Sequence, residues 1–395
     1  MRPTPPYVKA LVASFLGWTL DAFDFFVLVF VLPSIAHEFG VGVPAVALTI
    51  TVTLAFRPLG ALIFGLLADR YGRRLPLMID LVFYAVIEVL SGFAPTYTSF
   101  LVLRALFGIG MGGEWGVGAS LAMEQVPARW RGILSGVLQE GYAVGYLLAA
   151  CCYFVVFPRW GWRPMFWIGG LPALLALFVR FGVEESAVWE RTRHASWTTL
   201  LRGIAAEWRV FLYLTLLMTM MVFVSHGTQD MYPTFLKLER GFTPERVAVS
   251  AVIYNVGALL GGILFGHVSD RVGRRRALVL ALLLAILAIP LWAFAPTTAL
   301  LVVGAFLMQF MVQGAWGIIP AHISELSPDG VRGFLPGFAY QCGVLFASSV
   351  AYVEAVFAAR TSYANAMAAT ALIVCALGAV VVVLGRERKG AEFGV

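Results

Sequence analysis

The chain has 395 residues, 60% of them hydrophobic and only 13% charged. A soluble domain carries about 25% charge, so this chain lacks the polar surface that water requires, and a cytosolic enzyme or a transcription factor is excluded. The net charge of +6 comes from 28 Lys and Arg against 22 Asp and Glu; in a soluble protein it would hint at nucleic acid, but here the basic residues sit between apolar blocks, where they orient membrane helices.

A bilayer core of about 30 Å needs roughly 20 helical residues. Apolar blocks of that size lie near 11–33, 45–68, 75–94, 98–121, 133–156, 164–183, 209–233, 246–268, 276–295, 299–322, 334–357 and 362–385. The stretch Met1 to Lys9 leads into a block longer than a signal-peptide core and without a small-residue cleavage site, so the first block is expected to be a retained span. Barrel strands would alternate polar and apolar residues, whereas these blocks are apolar on nearly every side. Pro58, Pro172, Pro233, Pro290, Pro320 and Pro336 fall inside or at the ends of spans and are expected to kink or break them. Four cysteines show no CxxC spacing, so neither a metal knuckle nor a disulfide framework is expected.

An even number of spans places both termini on one side. Assigning that side to the cytoplasm puts 20 Lys and Arg inside, from Arg2 and Lys9 through Arg193 to Arg388 and Lys389, and six outside. This bias predicts a multi-pass inner-membrane (plasma-membrane) protein with both termini cytoplasmic.

The chain repeats itself at an offset of 201. Gly65, Asp69, Arg70, Gly72, Arg73 and Arg74 return as Gly266, Asp270, Arg271, Gly273, Arg274 and Arg275. The same offset carries Gly113, Trp115 and Gly116 onto Gly314, Trp316 and Gly317, and Glu124, Pro127, Arg131 and Gly132 onto Glu325, Pro328, Arg332 and Gly333. One register held over several loops and helices implies two equivalent halves. The expected fold class is an all-α membrane protein of twelve transmembrane helices in two six-helix pseudo-symmetric halves, 1–183 and 209–395, joined by a charged linker at 184–208. Parallel repeats of this kind place a site between the halves at mid-depth.

The GxLaDrxGRR loops after spans 2 and 8, and Arg104 followed by Gly108, Gly110, Gly112 and Gly113, resemble the signatures of the major facilitator superfamily over the whole chain. In span 7, Ser225, His226, Thr228, Gln229, Asp230 and Thr234 match six of seven specified positions of the pattern N-x-x-[S/T]-H-x-[S/T]-Q-D-x-x-x-T of the Jen1-like lactate and pyruvate permeases, in the sialate:proton symporter family. The departure is Val222, where that pattern has Asn. The resemblance implies proton-coupled symport of small monocarboxylates.

Charged side chains at mid-bilayer cost at least about 2.5 kcal/mol each, so each needs a partner or a job. Asp21 and Asp24, three apart in span 1, are candidates to hold a proton. His226 and Asp230, at i and i+4 in span 7, form a candidate proton relay. Arg104, Glu114 and Glu140 complete the proton-coupling candidates; Glu140 falls by register on Gln341, and Glu114 on Ala315. Arg57, near the centre of span 2, has the bidentate fork that suits a carboxylate, or is paired permanently with Asp21, Asp24 or Glu88. Gln229, Thr228 and Gln341 can donate uncharged hydrogen bonds to the same anion. His267, His322 and Glu354 rank as secondary. Asp69, Arg73, Arg74 and Glu124, with their counterparts Asp270, Arg274, Arg275 and Glu325, are expected to form a cytoplasmic gate, the arginines facing the glutamates across it. Glycines such as Gly108/Gly112, Gly141/Gly145 and Gly257/Gly261 form small-residue faces for helix packing.

No nucleotide-binding, zinc-protease or nucleophile-elbow motif is present, so no catalytic residue, metal ligand or cofactor is expected. The expected partners are a small organic anion, a co-transported proton and membrane lipid, without nucleic acid, and the chain is expected to act as a monomer. Another organic acid, export of a metabolite or drug, and a non-transporting receptor remain open alternatives.

Overall fold

The computed structural model describes residues 5–192 and 196–394; Arg2 and Arg193 of the basic count lie outside them. Every regular element among the described residues is helical. Among the described residues ten helices are long and apolar enough to cross a bilayer, and shorter apolar helices at Arg163–Val179 and Leu335–Ala347 belong to the remaining two spans.

Spans 1 to 4 are the helices Pro6–Phe39, Val43–Tyr71, Arg74–Gly92 and Tyr97–Gln125. Span 5 is built from Arg131–Gln139 and Gly141–Trp160, and span 6 from Arg163–Ile168 and Pro172–Gly182. Two short helices, Ala187–Thr192 and Trp197–Ala206, lead to span 7, which is Trp208–Gln229 followed by Tyr232–Leu238. Spans 8 to 10 are Pro244–Val272, Arg274–Phe294 and Thr298–Leu326. Span 11 is Leu335–Ala347 followed by Val350–Arg360, and span 12 is Tyr363–Leu384. Large apolar side chains such as Phe154, Phe181 and Leu287 point outward from three different spans, as a lipid-facing surface requires.

The prolines divide by position. Pro58, Pro290 and Pro320 lie inside continuous helices, so the breaks expected there do not occur. Pro172, Pro233 and Pro336 occupy first turns, where the missing N–H has no helical partner to lose. Pro233 has a local consequence: it cannot donate to the Gln229 carbonyl and its ring crowds that oxygen, so span 7 stops at Gln229 and restarts at Tyr232.

Within each half the same pairs pack, span 2 on span 4 and span 8 on span 10; the halves meet through spans 2 and 11, 4 and 11, 5 and 8, and 5 and 10. Glycine permits the tightest crossings. A Cβ on Gly112 would stand 1.9 Å from the Arg57 carbonyl oxygen, and one on Gly116 would stand 2.6 Å from Gly337 Cα in the other half. Gly108, Gly145 and Gly261 make equally close backbone contacts with a neighbouring span.

Candidate functional site

At the end of the bundle that carries the 2–3 and 8–9 loops, one charged network is built twice. Arg73 donates to Asp69 at 2.6 Å and to Glu124 at 2.9 Å. Arg274 donates to Asp270 at 2.7 Å and, through Nε and Nη2, to both oxygens of Glu325 at 3.0 Å. Burial alone would lower the pKa of Arg73, but Glu124 and Asp69 outweigh it and hold the guanidinium above its ordinary value.

These ion pairs stay within one half, which corrects the expectation that they reach across. Gly72 and Gly273, both at φ 102°, make the turn that returns each arginine to its own half. The crossing is made by other groups. Asp69 accepts the backbone N–H groups of Gly333 and Phe334 at 2.8 and 3.0 Å, just ahead of the first helix of span 11. Asp270 accepts those of Gly132 and Ile133 at 2.8 and 2.9 Å, in the first turn of span 5. Free N–H groups and the positive end of the helix dipole suit a carboxylate at both places. Arg131 reaches Glu325 at 3.1 Å and Arg332 reaches Glu124 at 3.6 Å, again between halves. Arg74 and Arg275 engage other carboxylates. Their backbone N–H groups cap on Glu185 and Glu387, carboxylates that follow spans 6 and 12, and the Arg275 side chain donates to the carbonyls of Val382 and Val383.

Away from this network the halves enclose a cavity of about 490 Å³. Trp18, Phe25, Phe26, Tyr142, Trp316 and Tyr340 give it aromatic walls; Gln139, Ser225, His226, Gln229, Asp230, Gln313 and Ser348 give it polar groups. His226 and Asp230 line it together. The Asp230 carboxylate lies 3.1 Å from His226 Nδ1, and the two side chains are 45% and 34% exposed, so both are reachable from the cavity. The pair sits at the Pro233 break. Beside it Gln229 donates to Gln309 of span 10 at 2.8 Å, and Gln309 donates to the Thr228 carbonyl at 3.4 Å.

Of the four residues expected to touch a substrate, only Gln229 lines this cavity. The Thr228 hydroxyl donates to Val224 and Ser225 carbonyls of its own helix and is buried. Gln341 is fully buried with neither amide atom bonded. Arg57 lies behind the wall, its guanidinium carbon 5.7 Å from the centre of the Tyr340 ring. Tyr340 is therefore the screen between Arg57 and the cavity.

Most of the remaining acids occupy a buried layer inside the first half. Asp21, Asp24, Glu88 and Glu114 are fully buried, as is Asp80 of span 3 at 1% exposure. Asp21 is not on the cavity wall, although Trp18 and Phe25, three residues before it and four after, are. Asp24 and Glu88 flank Gly169, where a methyl group would stand 2.6 Å from Asp24 Oδ1. Glu88 is taken by Arg104, which donates to it and to Ser91 at 2.5 Å within a sleeve of Phe100, Phe107 and Phe166. Arg57 therefore lies within electrostatic reach of Asp21 and Glu114 rather than paired with Glu88. Glu140 stands at the break in span 5, against Gly262 of the other half. Glu354 is buried near Gly227, and His322 is fully buried in span 10 with neither ring nitrogen bonded. His267 is partly exposed and outside the cavity. Asp80, Gln309 and Tyr340 escaped the sequence reading. Asp80 alone had a legible signal, a carboxylate inside an apolar block.

The sequence profile of the Major Facilitator Superfamily matches residues 14–251 and 231–393. A probable 4-methylmuconolactone transporter of Cupriavidus pinatubonensis is 31% identical over 98% of this chain and 92% of its own. A carboxylic acid transporter protein homolog of Saccharomyces cerevisiae is 28% identical over 88% of this chain and 61% of its own. The solved structure of the proton:xylose symporter XylE with bound 6-bromo-6-deoxy-D-glucose shares the fold with a TM-score of 0.82, covering 98% of both chains at 18% identity. The chain thus belongs to the major facilitator superfamily, a multi-pass membrane transporter of twelve spans and not an enzyme.

Proposed function

We propose that the chain is a proton-coupled symporter of small organic acids in the inner membrane, working by alternating access with its charged end and both termini in the cytoplasm. The observation that carries this reading is the His226–Asp230 pair. It is a titratable unit exposed on the wall of a cavity whose other faces are mostly aromatic and apolar. Protonating such a pair changes the charge that the cavity offers an incoming carboxylate, and imidazole is the side chain whose ordinary pKa suits the task. Proton and anion together leave the closed cavity nearer neutral than either alone, which lowers the cost of excluding water.

The cavity favours an acid with a ring or a conjugated chain. Its volume falls in the range of sites that bury drug-sized ligands, and six aromatic side chains offer stacking faces. Two of its relatives, a probable 4-methylmuconolactone transporter and a carboxylic acid transporter protein homolog, support an organic-acid cargo. A second reading, lactate or pyruvate, is favoured by the span 7 pattern. In both, Gln229 orients the carboxylate and Arg57 supplies counter-charge once Tyr340 swings aside. Asp69, Asp270, Arg73, Arg274, Glu124 and Glu325 shut the cytoplasmic end.

Counterflow in proteoliposomes decides the matter, with pH gradient and membrane potential set independently. Benzoate, nicotinate, a muconolactone, lactate and pyruvate would compete as unlabelled acids. Proton-driven accumulation of one or more acids is expected, the ring-bearing ones competing best. Accumulation that ignores the proton gradient would sink the symport reading, and competition by lactate and pyruvate alone would select the second cargo.

A further inference from the structure

The ten described residues after span 12, 385–394, do not leave the bundle. Glu387 accepts the Arg275 N–H at 2.9 Å and Lys389 Nζ donates to the Arg271 carbonyl at 3.0 Å, which ties the base of the segment to the second half. The chain then runs across the charged network. The Gly390 N–H donates to Glu325 at 3.2 Å, the Ala391 carbonyl accepts from Arg131 at 2.9 Å, and the Gly394 N–H donates to Asp329 at 2.8 Å. Between these bonds, the ring of Phe393 has the Arg131 guanidinium carbon 3.8 Å from its centroid and that of Arg332 at 3.7 Å.

Arg131 and Arg332 are repeat mates, 201 residues apart, one starting span 5 and the other lying just ahead of span 11. The pseudo-symmetry therefore brings two like charges together where the halves meet. An aromatic ring carries negative potential on its face and attracts a guanidinium there, so one ring between two guanidiniums offsets part of their repulsion. The contact depends on geometry. Arg332 belongs to the half that anchors the segment, whereas Arg131 belongs to the other. Rocking that separates the halves at this end must take Arg131 away from Phe393 and from the Ala391 carbonyl.

We infer that residues 390–394 are a latch, with Phe393 as its bolt, which stabilises the form closed at the charged end and sets how often that end opens. The inference requires only that the halves rock; it does not depend on the cargo.

Hydrogen exchange on the full chain in lipid nanodiscs tests it, because the amides of Gly132, Ile133 and Gly333 are held by Asp270 and Asp69 of the opposite half, and that of Phe334 is shared between Asp69 and the Val331 carbonyl. In Phe393→Ala, and in a chain ending at Gly390, exchange at these four amides should rise about five- to thirty-fold, the factor expected from losing cation–π contacts. Phe393→Trp should keep the native rates. Phe393→Leu, which keeps apolar bulk without the charged face, should behave as the alanine variant does. Native rates in both the alanine variant and the shortened chain would overturn the latch. So would an equal rise at buried amides of span 4, because that would be general loosening. Native rates in Phe393→Leu would overturn the role of the ring.

Discussion

Phe25 of span 1 and His226 of span 7 stand 201 residues apart, at equivalent positions of the two halves, and line the same cavity. One turn further on, Val29 and Asp230 are related in the same way. The repeat thus offers hydrocarbon from one side and a titratable pair from the other. The first half keeps its own acids, Asp21, Asp24, Asp80 and Glu114, behind that wall. An asymmetric site in a symmetric scaffold can hold an anion against one face and handle a proton at the other.

His226→Ala and Asp230→Asn should each reduce gradient-driven accumulation of the transported acid by at least about tenfold, equivalent to about 1.4 kcal/mol, while keeping part of acid-for-acid exchange. Exchange turns over the loaded carrier without releasing the proton. The pair lies within 3.1 Å, so the double variant should be little worse than the poorer single one. Parallel assays of uptake and exchange check this, and unchanged uptake with an unchanged pH profile in Asp230→Asn would remove the pair from the mechanism.

Tyr340→Ala should uncover Arg57 and strengthen binding of an acid probe, at a stability cost of about 0.5–2 kcal/mol for the lost cation–π contact. Arg57→Lys keeps the charge but not the bidentate fork, so affinity should fall in a folded protein. Binding per folded molecule and thermal unfolding, measured together, distinguish this from a structural role. Loss of thermal stability with normal affinity would assign Arg57 to assembly with Asp21 and Glu114.

Asp69→Asn and Asp270→Asn should open the charged end to similar degrees, since each aspartate accepts two backbone N–H groups from the opposite half. Hydrogen bonds to a charged group are each worth about 1.5–3 kcal/mol. A cysteine at Ser135, whose hydroxyl accepts from Ala321 across the interface, reports the opening. In a background lacking Cys151, Cys152, Cys342 and Cys375, labelling by a membrane-impermeant maleimide should increase in both variants. No increase in either would show that the Asp-to-backbone bonds do not hold the halves together.

Gly116→Ala should destabilise the closed form by about 1–3 kcal/mol, the usual cost of overpacking, because its methyl group would meet Gly337 Cα at 2.6 Å and backbone cannot move aside as a side chain can. A lower unfolding temperature with faster exchange at Gly333 and Phe334 is the expected result. Native stability would show that the two spans can separate without cost.

The number of spans, their pairing into halves and the contact between His226 and Asp230 were legible in the sequence. A bilayer forces every backbone polar group to be satisfied within its own helix, so span count follows from apolar length. Residues four apart on a helix meet whatever surrounds them. The 201-residue register is a property of the sequence itself. Contacts between helices were decided by the tertiary structure. Most of these spans are apolar on all sides, so no amphipathic stripe sets how each one turns about its axis. That rotation left Asp21 off the cavity wall that Trp18 and Phe25 line, and put Thr228 against its own backbone. It also gave Glu88 to Arg104 and placed Tyr340 between Arg57 and the cavity. At the charged end, spacing in the sequence was equally compatible with arginines reaching across or folding back. The left-handed turn at Gly72 and Gly273 folds them back. The crossing then fell to Asp69 and Asp270, because the helix starts opposite them present unpaired N–H groups that a buried carboxylate satisfies.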